Sequence, residues 1–202
     1  MSQDALPSLS QTSALIRARR SLKPTDCEAG RPVAPELWRE LLENATWAPT
    51  HGMTEPWRFH VFEGAARARL GDALQQAYRD ATPEAEFRAD KFDKLAANPR
   101  LAPLVVAVVL ERRGGAKIPE IEEVEAVACA VQNLMLSATA AGLASFWSSP
   151  PVLDAPPFKA WLGLGDEDRC VGLIYLGWPR AGLTPARSSR QPLANKLVHH
   201  HD

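Results

Sequence analysis

The sequence predicts a single unit of the α+β or α/β class, on three observations. Its 202 residues are enough for one domain with a substantial core. Stretches of helical periodicity alternate with a few short β-branched or aromatic runs. No internal repeat or low-complexity linker divides the chain. The composition, 46% hydrophobic and 23% charged, belongs to a globular protein and not to a disordered one.

The elements follow in order. Residues 12–20 fit a short helix whose last turn carries arginines. The segment "APELWRELLENATWA" repeats apolar residues at 37, 38, 41, 42 and 45, which is helical spacing, and Pro35 suits a first turn. "APTHGMTEP" stops that helix with prolines and a glycine. "WRFHVF" (57–62) reads as a strand. Two alanine-rich polar helices follow at about 64–80 and 83–97. "APLVVAVVLE" (102–111) is a β-branched run suited to a strand covered on both faces. "EIEEVEAVACAVQNLMLSATAAG" begins acidic, as a helix N-terminus prefers, and ends at Gly142. From Val124 onward it is apolar or small nearly all round, which predicts a central buried helix or a subunit interface. "ASFWSS" (144–149) and "CVGLIYLG" (170–177) read as strands, with a short helix in "PPFKAWLGL" between them. Residues 1–12 and 193–202 are expected to be flexible ends of a domain spanning 13–192.

Charge and cysteine usage exclude several classes. A formal net charge of −1 provides no global positive field, so broad nucleic-acid binding is not expected. Cys27, Cys129 and Cys170 lie far apart and form no CxxC pair, which argues against a disulfide framework or a zinc site and suits a reducing cytoplasm. The first 20 residues lack the apolar stretch and cleavage site of a secretory signal. The longest apolar runs are too short to span a bilayer, so no membrane association is expected. The three histidines near the C-terminus read as end material before they read as a metal site.

Four stretches could carry chemistry. Arg19, Arg20, Ser21 and Lys23 place two guanidiniums, a hydroxyl and an ammonium within five residues. Arginine suits phosphate oxygens because its planar fork bonds two at once. Taken alone, such a cluster also fits a solvated helix end. "WAPTHGMTEPW" (47–57) can present His51 and Glu55 from a rigid loop, or simply turn a helix into a strand. In "AAGLASFWSSP" (140–150) a glycine turn precedes Trp147, Ser148 and Ser149, whose hydroxyls and backbone N–H groups could bond a heteroaromatic ring. "IYLGWP" (174–179) with "SSRQP" (188–192) adds Arg190, though core strand and tail are the ordinary readings. There is no G-x-S-x-G elbow, no GxGxxG and no Walker loop.

The order and spacing of these stretches resemble the FMN-dependent nitroreductase family, in its short, minimal type, from about residue 13 to residue 192. The loop "APTHGMTEPWRF" is the most specific part. The resemblance implies an α+β homodimer of three layers, with a central mixed sheet between helices and two FMN molecules between the subunits. It places Arg19, Arg20 and Ser21 at the flavin phosphate and polar edge, with Lys23 near the ring. It brings His51 and Glu55 from the partner subunit, sets Trp147, Ser148 and Ser149 on the flavin's other side, and adds Arg190 as a late phosphate ligand. Many members carry glutamine at the position of Glu55, and a carboxylate cannot donate a hydrogen bond as an amide can.

The activity so implied is a cytoplasmic NAD(P)H-dependent oxidoreductase, working by a ping-pong mechanism on a nitroaromatic, a quinone or another small electrophile. The chemistry resides in the cofactor, so no protein nucleophile is expected; Lys23 is the candidate for electrostatic support. A flavin-binding carrier or regulator without turnover is the alternative.

Overall fold

A computed structural model describes residues 6–28, 30–113 and 115–201. The chain order is α1 (Leu9–Ala18), α2 (Pro35–Thr46), β1 (Trp57–Glu63), α3 (Ala66–Ala81), α4 (Ala89–Leu101), β2 (Leu104–Leu110), α5 (Glu120–Ala140), β3 (Ala144–Ser148), α6 (Pro156–Leu162) and β4 (Arg169–Gly177). Each anticipated helix and strand is present. The first helix begins earlier than periodicity suggests, because Ser8 and Gln11 form a reciprocal capping box that starts it at Leu9.

The strands lie in the order β1-β2-β4-β3, and every neighbouring pair is antiparallel. This corrects the mixed sheet that the resemblance implies. Helices α3 and α4 return the chain to the end of the sheet where β1 finished, so Glu63 pairs with Leu104 and β2 runs back beside β1. The single helix α5 then crosses over and sets β3 in the same direction as β2. However, β4 lies between these two and opposes both. Among the described residues the parallel pairing is an isolated bridge, Ser21 with Ser145.

The strand periodicity of two divides β2 between two cores, as its fully buried run requires. Leu104, Val106, Val108 and Leu110 pack with α2 and α5 on one face. Val105 and Ala107 pack with Leu70 and Leu74 of α3 and Phe158 of α6 on the other. The result is the helix–sheet–helix sandwich of three layers. Within α5 the buried positions Ala126, Val127, Ala130, Val131, Leu134 and Ala138 follow helical spacing. Its opposite side carries Cys129, Gln132 and Ala140, which are exposed in the single chain.

The β2–α5 connection is held by charge. Arg112 pairs with Glu123, which is 1% exposed, and the Arg112 guanidinium also donates to the Gly115 carbonyl at 3.2 Å. Glu123 accepts the Arg113 backbone N–H at 3.3 Å, while Asp168 accepts that of Arg112 at 3.0 Å. Among the described residues no helix is long and apolar enough to cross a membrane.

Removing one member of a buried ion pair leaves the other charge desolvated and uncompensated. Glu123→Ala is therefore expected to lower unfolding stability by about 3–5 kcal/mol in urea denaturation, and Glu123→Gln by less, since the amide can still accept hydrogen bonds.

Candidate functional site

The Arg19–Lys23 segment is set in place by the edge of the sheet. Because β4 separates β3 from β2, the outer edge of β3 has no neighbouring strand. The Leu22 N–H donates to the Ser145 carbonyl at 3.0 Å, and Ser21 bridges Ser145 in parallel. The first and third stretches thus lie side by side despite their separation in sequence. Further along, the Glu28 N–H donates to the Trp178 carbonyl at 2.8 Å, and Cys27 packs beside Gly177. Burial, with Asp26 adding to it, pushes the Cys27 thiol up to about 11, so it remains a protonated structural group.

The cations in this strip have different surroundings. Arg20 curls back and donates to the carbonyls of Arg17 and Arg19, closing the C-terminus of α1. Neither Arg19 nor Lys23 has a side-chain partner among the described residues. Arg19 is half-buried and Lys23 exposed. The buried Ser145 hydroxyl also lacks a hydrogen-bond partner among the described residues.

Trp147 is turned onto the sheet. Val108 faces Gly172 and Val109 faces Cys170, so Val171 bulges out of the β2–β4 ladder. The Trp147 indole N–H donates to the Val171 carbonyl at 3.3 Å, satisfying it. The ring can lie there because position 172 is glycine; a Cβ at that position would overlap the indole nitrogen. Ser148 and Ser149 follow at the strand end, half-buried and exposed respectively.

The loop from Ala48 to Pro56 is strained and well anchored. Gly52 (φ 59°), Met53 (φ 53°) and Glu55 (φ 45°) all adopt left-handed backbone. Thr50 Oγ1 accepts the Glu55 N–H at 3.2 Å and lies 3.1 Å from Thr54 Oγ1. The His51 ring meets the Glu122 carboxylate in the first turn of α5, and Gly52 packs against Ile118. His51, Met53 and Glu55 are exposed, and the Glu55 carboxylate has no ion-pair partner among the described residues.

These residues form two half-sites. The His51–Glu55 loop leads into the start of β1 on one edge of the sheet, and Ser148 and Ser149 end β3 on the opposite edge, roughly 14 Å away across three strand spacings. Ser148 lies in the row of His60, and Ser145, where the Arg19–Lys23 strip docks, lies in the row of Glu63, the end of β1 away from that loop. Arg190 joins neither half. It is exposed on the extended tail and donates to Ser188 and to the Ser189 carbonyl.

Ser148 also opens onto a cavity of about 370 Å³ lined by Tyr78, Lys91, Lys94, Leu95 and Tyr175 among others. Sequence reasoning missed these residues. They come from three separated elements, and each belongs to an ordinary helix or strand pattern with no local signal.

A model of the nitroreductase family matches residues 16–178 of the chain. The Escherichia coli K12 protein named "Putative NAD(P)H nitroreductase YdjA" is 32% identical over 146 residues, covering 72% of this chain and 77% of that protein. A nitroreductase-like family protein from Bacillus cereus superposes with a TM-score of 0.82 at 27% identity, covering 98% of this chain and 100% of that one. A nitroreductase-type protein of Desulfovibrio desulfuricans, crystallised in complex with FMN, superposes with a TM-score of 0.70 at 25% identity over 94% of this chain and 96% of that one.

Gly172→Ala is expected to displace the Trp147 indole and cost about 1–3 kcal/mol, the range of an overpacked core position. Chemical denaturation gives the stability, and a red-shifted tryptophan emission reports the displaced ring. An unchanged midpoint and spectrum would show that β4 yields without disturbing Trp147.

Proposed function

The chain belongs to the nitroreductase family, and on that premise we propose that it is an FMN-dependent oxidoreductase acting as a homodimer. It would draw electrons from NAD(P)H and pass them to a small electrophile such as a nitroaromatic or a quinone. The observation that carries this reading is the pair of half-sites at opposite edges of one sheet. Each is incomplete alone, and a second copy can bring its His51–Glu55 loop to the first copy's β3 edge. The exposed face of α5, with small and apolar residues among its polar ones, is the surface on which such copies would meet.

The donors present suit a flavin mononucleotide. Arg19, Ser21 and Lys23 offer a guanidinium, a hydroxyl and an ammonium along one strip, and the two cations have no carboxylate partner among the described residues. Such unpaired donors match a phosphate and the polar edge of a ring. Ser148 and Ser149 add hydroxyls at the strand end. Arg190, on its extended tail, would complete the phosphate contacts. Arg20 serves mainly to close α1, and Trp147 serves mainly to hold the strand end in place. When bound, FMN supplies the two-electron chemistry, and no side chain is required as a nucleophile. The protein's part is to bind and orient the ring, with His51 and Glu55 of the second copy meeting it from across the interface.

Purified protein should be yellow, release FMN on denaturation, bleach with NAD(P)H under anaerobic conditions and show a dimeric mass in light scattering. Protein that stays colourless with added FMN would defeat the reading, and bound flavin that never reacts with NAD(P)H would indicate a carrier. Arg19→Ala should weaken FMN binding by one to two decades, the loss of a charge-assisted hydrogen bond of about 1.5–3 kcal/mol. Its unfolding midpoint should hardly move, because the Arg19 side chain has no partner among the described residues.

Glu55 tests the second half-site. A negative charge near the ring disfavours added electrons, and the Glu55 carboxylate has no ion-pair partner among the described residues, the nearby Arg58 guanidinium donating instead to the Glu55 and Trp57 carbonyls. Glu55→Gln is nearly isosteric and is expected to raise the bound flavin's midpoint potential while FMN stays bound. A redox titration of both proteins at one pH checks this. An unchanged midpoint would mean that the carboxylate is neutralised at the interface or lies away from the ring.

A further inference from the structure

We propose that the cavity between α3, α4 and the β3–α6 connection binds an aromatic carboxylate, and that aromatic acids are the favoured electron acceptors. The second half of this proposal rests on the oxidoreductase reading above; the first half does not. The cavity, about 370 Å³, lies within the ~300–1,000 Å³ range of small-molecule sites. Its walls are apolar where Leu95, Val152 and Ala155 meet, which suits a flat ring and not a hydrated inorganic anion.

Two further features define the ligand. Tyr175 lines the cavity at 4% exposure, and its hydroxyl has no hydrogen-bond partner among the described residues. The hydroxyl is not among the fully buried polar atoms, so it reaches the cavity and can donate to a molecule bound there. Burial also raises its pKa well above the ordinary range, which keeps the O–H available as a donor. Tyr78 is similar: its oxygen accepts the Arg88 N–H at 3.1 Å, leaving its proton to donate.

The rim supplies charge. Lys91 and Lys94 are three residues apart on α4 and share one helical face. The lining contains these two ammonium groups and no carboxylate. Lys94 lies 3.5 Å from Asp90, which is outside the lining and already held by Arg88; Lys91 has no ion-pair partner among the described residues. A carboxylate at the lysines, a ring against the apolar walls, and a nitro, carbonyl or hydroxyl oxygen accepting from Tyr175 would together use every feature of the cavity. Ser148 belongs both to this lining and to the β3 end of the candidate cofactor site, so a molecule bound here lies next to that site.

The test uses full-length protein with whatever flavin it carries. Binding of para-nitrobenzoate and of uncharged nitrobenzene is measured by ligand-observed NMR titration without NAD(P)H. The Lys91→Gln/Lys94→Gln double variant should bind para-nitrobenzoate roughly tenfold more weakly, a loss of the size expected for a charge-assisted contact. Nitrobenzene binding and FMN content should stay the same. Tyr175→Phe should weaken both ligands several-fold without lowering the thermal midpoint, since it removes a hydroxyl with no hydrogen-bond partner among the described residues. A purely structural tyrosine would give the opposite pattern. In steady state, the kcat/KM ratio for para-nitrobenzoate over nitrobenzene should fall in the double variant by the same factor as binding. Equal affinity for the two compounds, or indifference to the lysine change, overturns the site. Loss of FMN from these variants overturns it too, by assigning the cavity to the cofactor. Selective binding with an unmoved kcat/KM ratio overturns the acceptor role. Failure of NAD(P)H to bleach the flavin counts against the oxidoreductase reading alone.

Discussion

The backbone hydrogen bond from Leu22 to the Ser145 carbonyl is the contact on which the arrangement of this protein depends. It exists because β4 lies between β2 and β3 and leaves the outer edge of β3 with unpaired N–H and carbonyl groups. An open edge is a hazard that proteins cover. Here the cover is a strip carrying Arg19, Ser21 and Lys23, so the group that protects the sheet also delivers the charges. Further along the same segment, Glu28 bonds to Trp178 and Arg180 bonds to Asp26, which ties the strip to the exit of β4 as well.

Position, and not charge alone, makes the strip distinctive. Arg58 and Arg113 share Glu111, Arg100 meets Asp72, and Arg169 meets Glu120. Exposed pairs of this kind add little stability, typically about 0–1 kcal/mol each, but they do neutralise the cations involved. Arg19, Lys23 and Lys91 have no carboxylate partner among the described residues, a state that exposed arginines such as Arg17 and Arg69 share. What sets Arg19 and Lys23 apart is the segment that holds them against the edge of β3.

The loop before β1 shows how strain can be held at a site. Left-handed backbone at Met53 and Glu55 costs of order 1–3 kcal/mol at each residue. Hydrogen bonds to Thr50, the His51–Glu122 contact and packing of Gly52 on Ile118 oppose that cost. The anchoring reaches the first turn of α5, close to the Arg112–Glu123 pair that organises the preceding loop. Loop, helix start and ion pair therefore form one supported unit that leaves His51, Met53 and Glu55 exposed.

The sequence by itself determined the elements, because the signals for them are local. The run 104–110 could only be a doubly buried strand, the spacing of 37–45 could only pack as a helix, and the order of the motifs was enough for the family resemblance. Even the early start of α1 is legible in Ser8 and Gln11, a capping box three residues apart. Tertiary structure alone decided which strands become neighbours. A single-helix crossover makes β2 and β3 parallel, and nothing near either strand says that β4 will separate them. The same holds for the fate of individual side chains. Nothing in the sequence shows that Arg20, unlike Arg19, turns back to the helix end, or that a bulge at Val171 and the bare backbone at Gly172 lay the Trp147 indole on the sheet. The cavity around Tyr175 left no trace in the sequence, since its lining comes from α3, α4, β4 and the β3–α6 connection, which only the tertiary fold brings together on one face of the sheet.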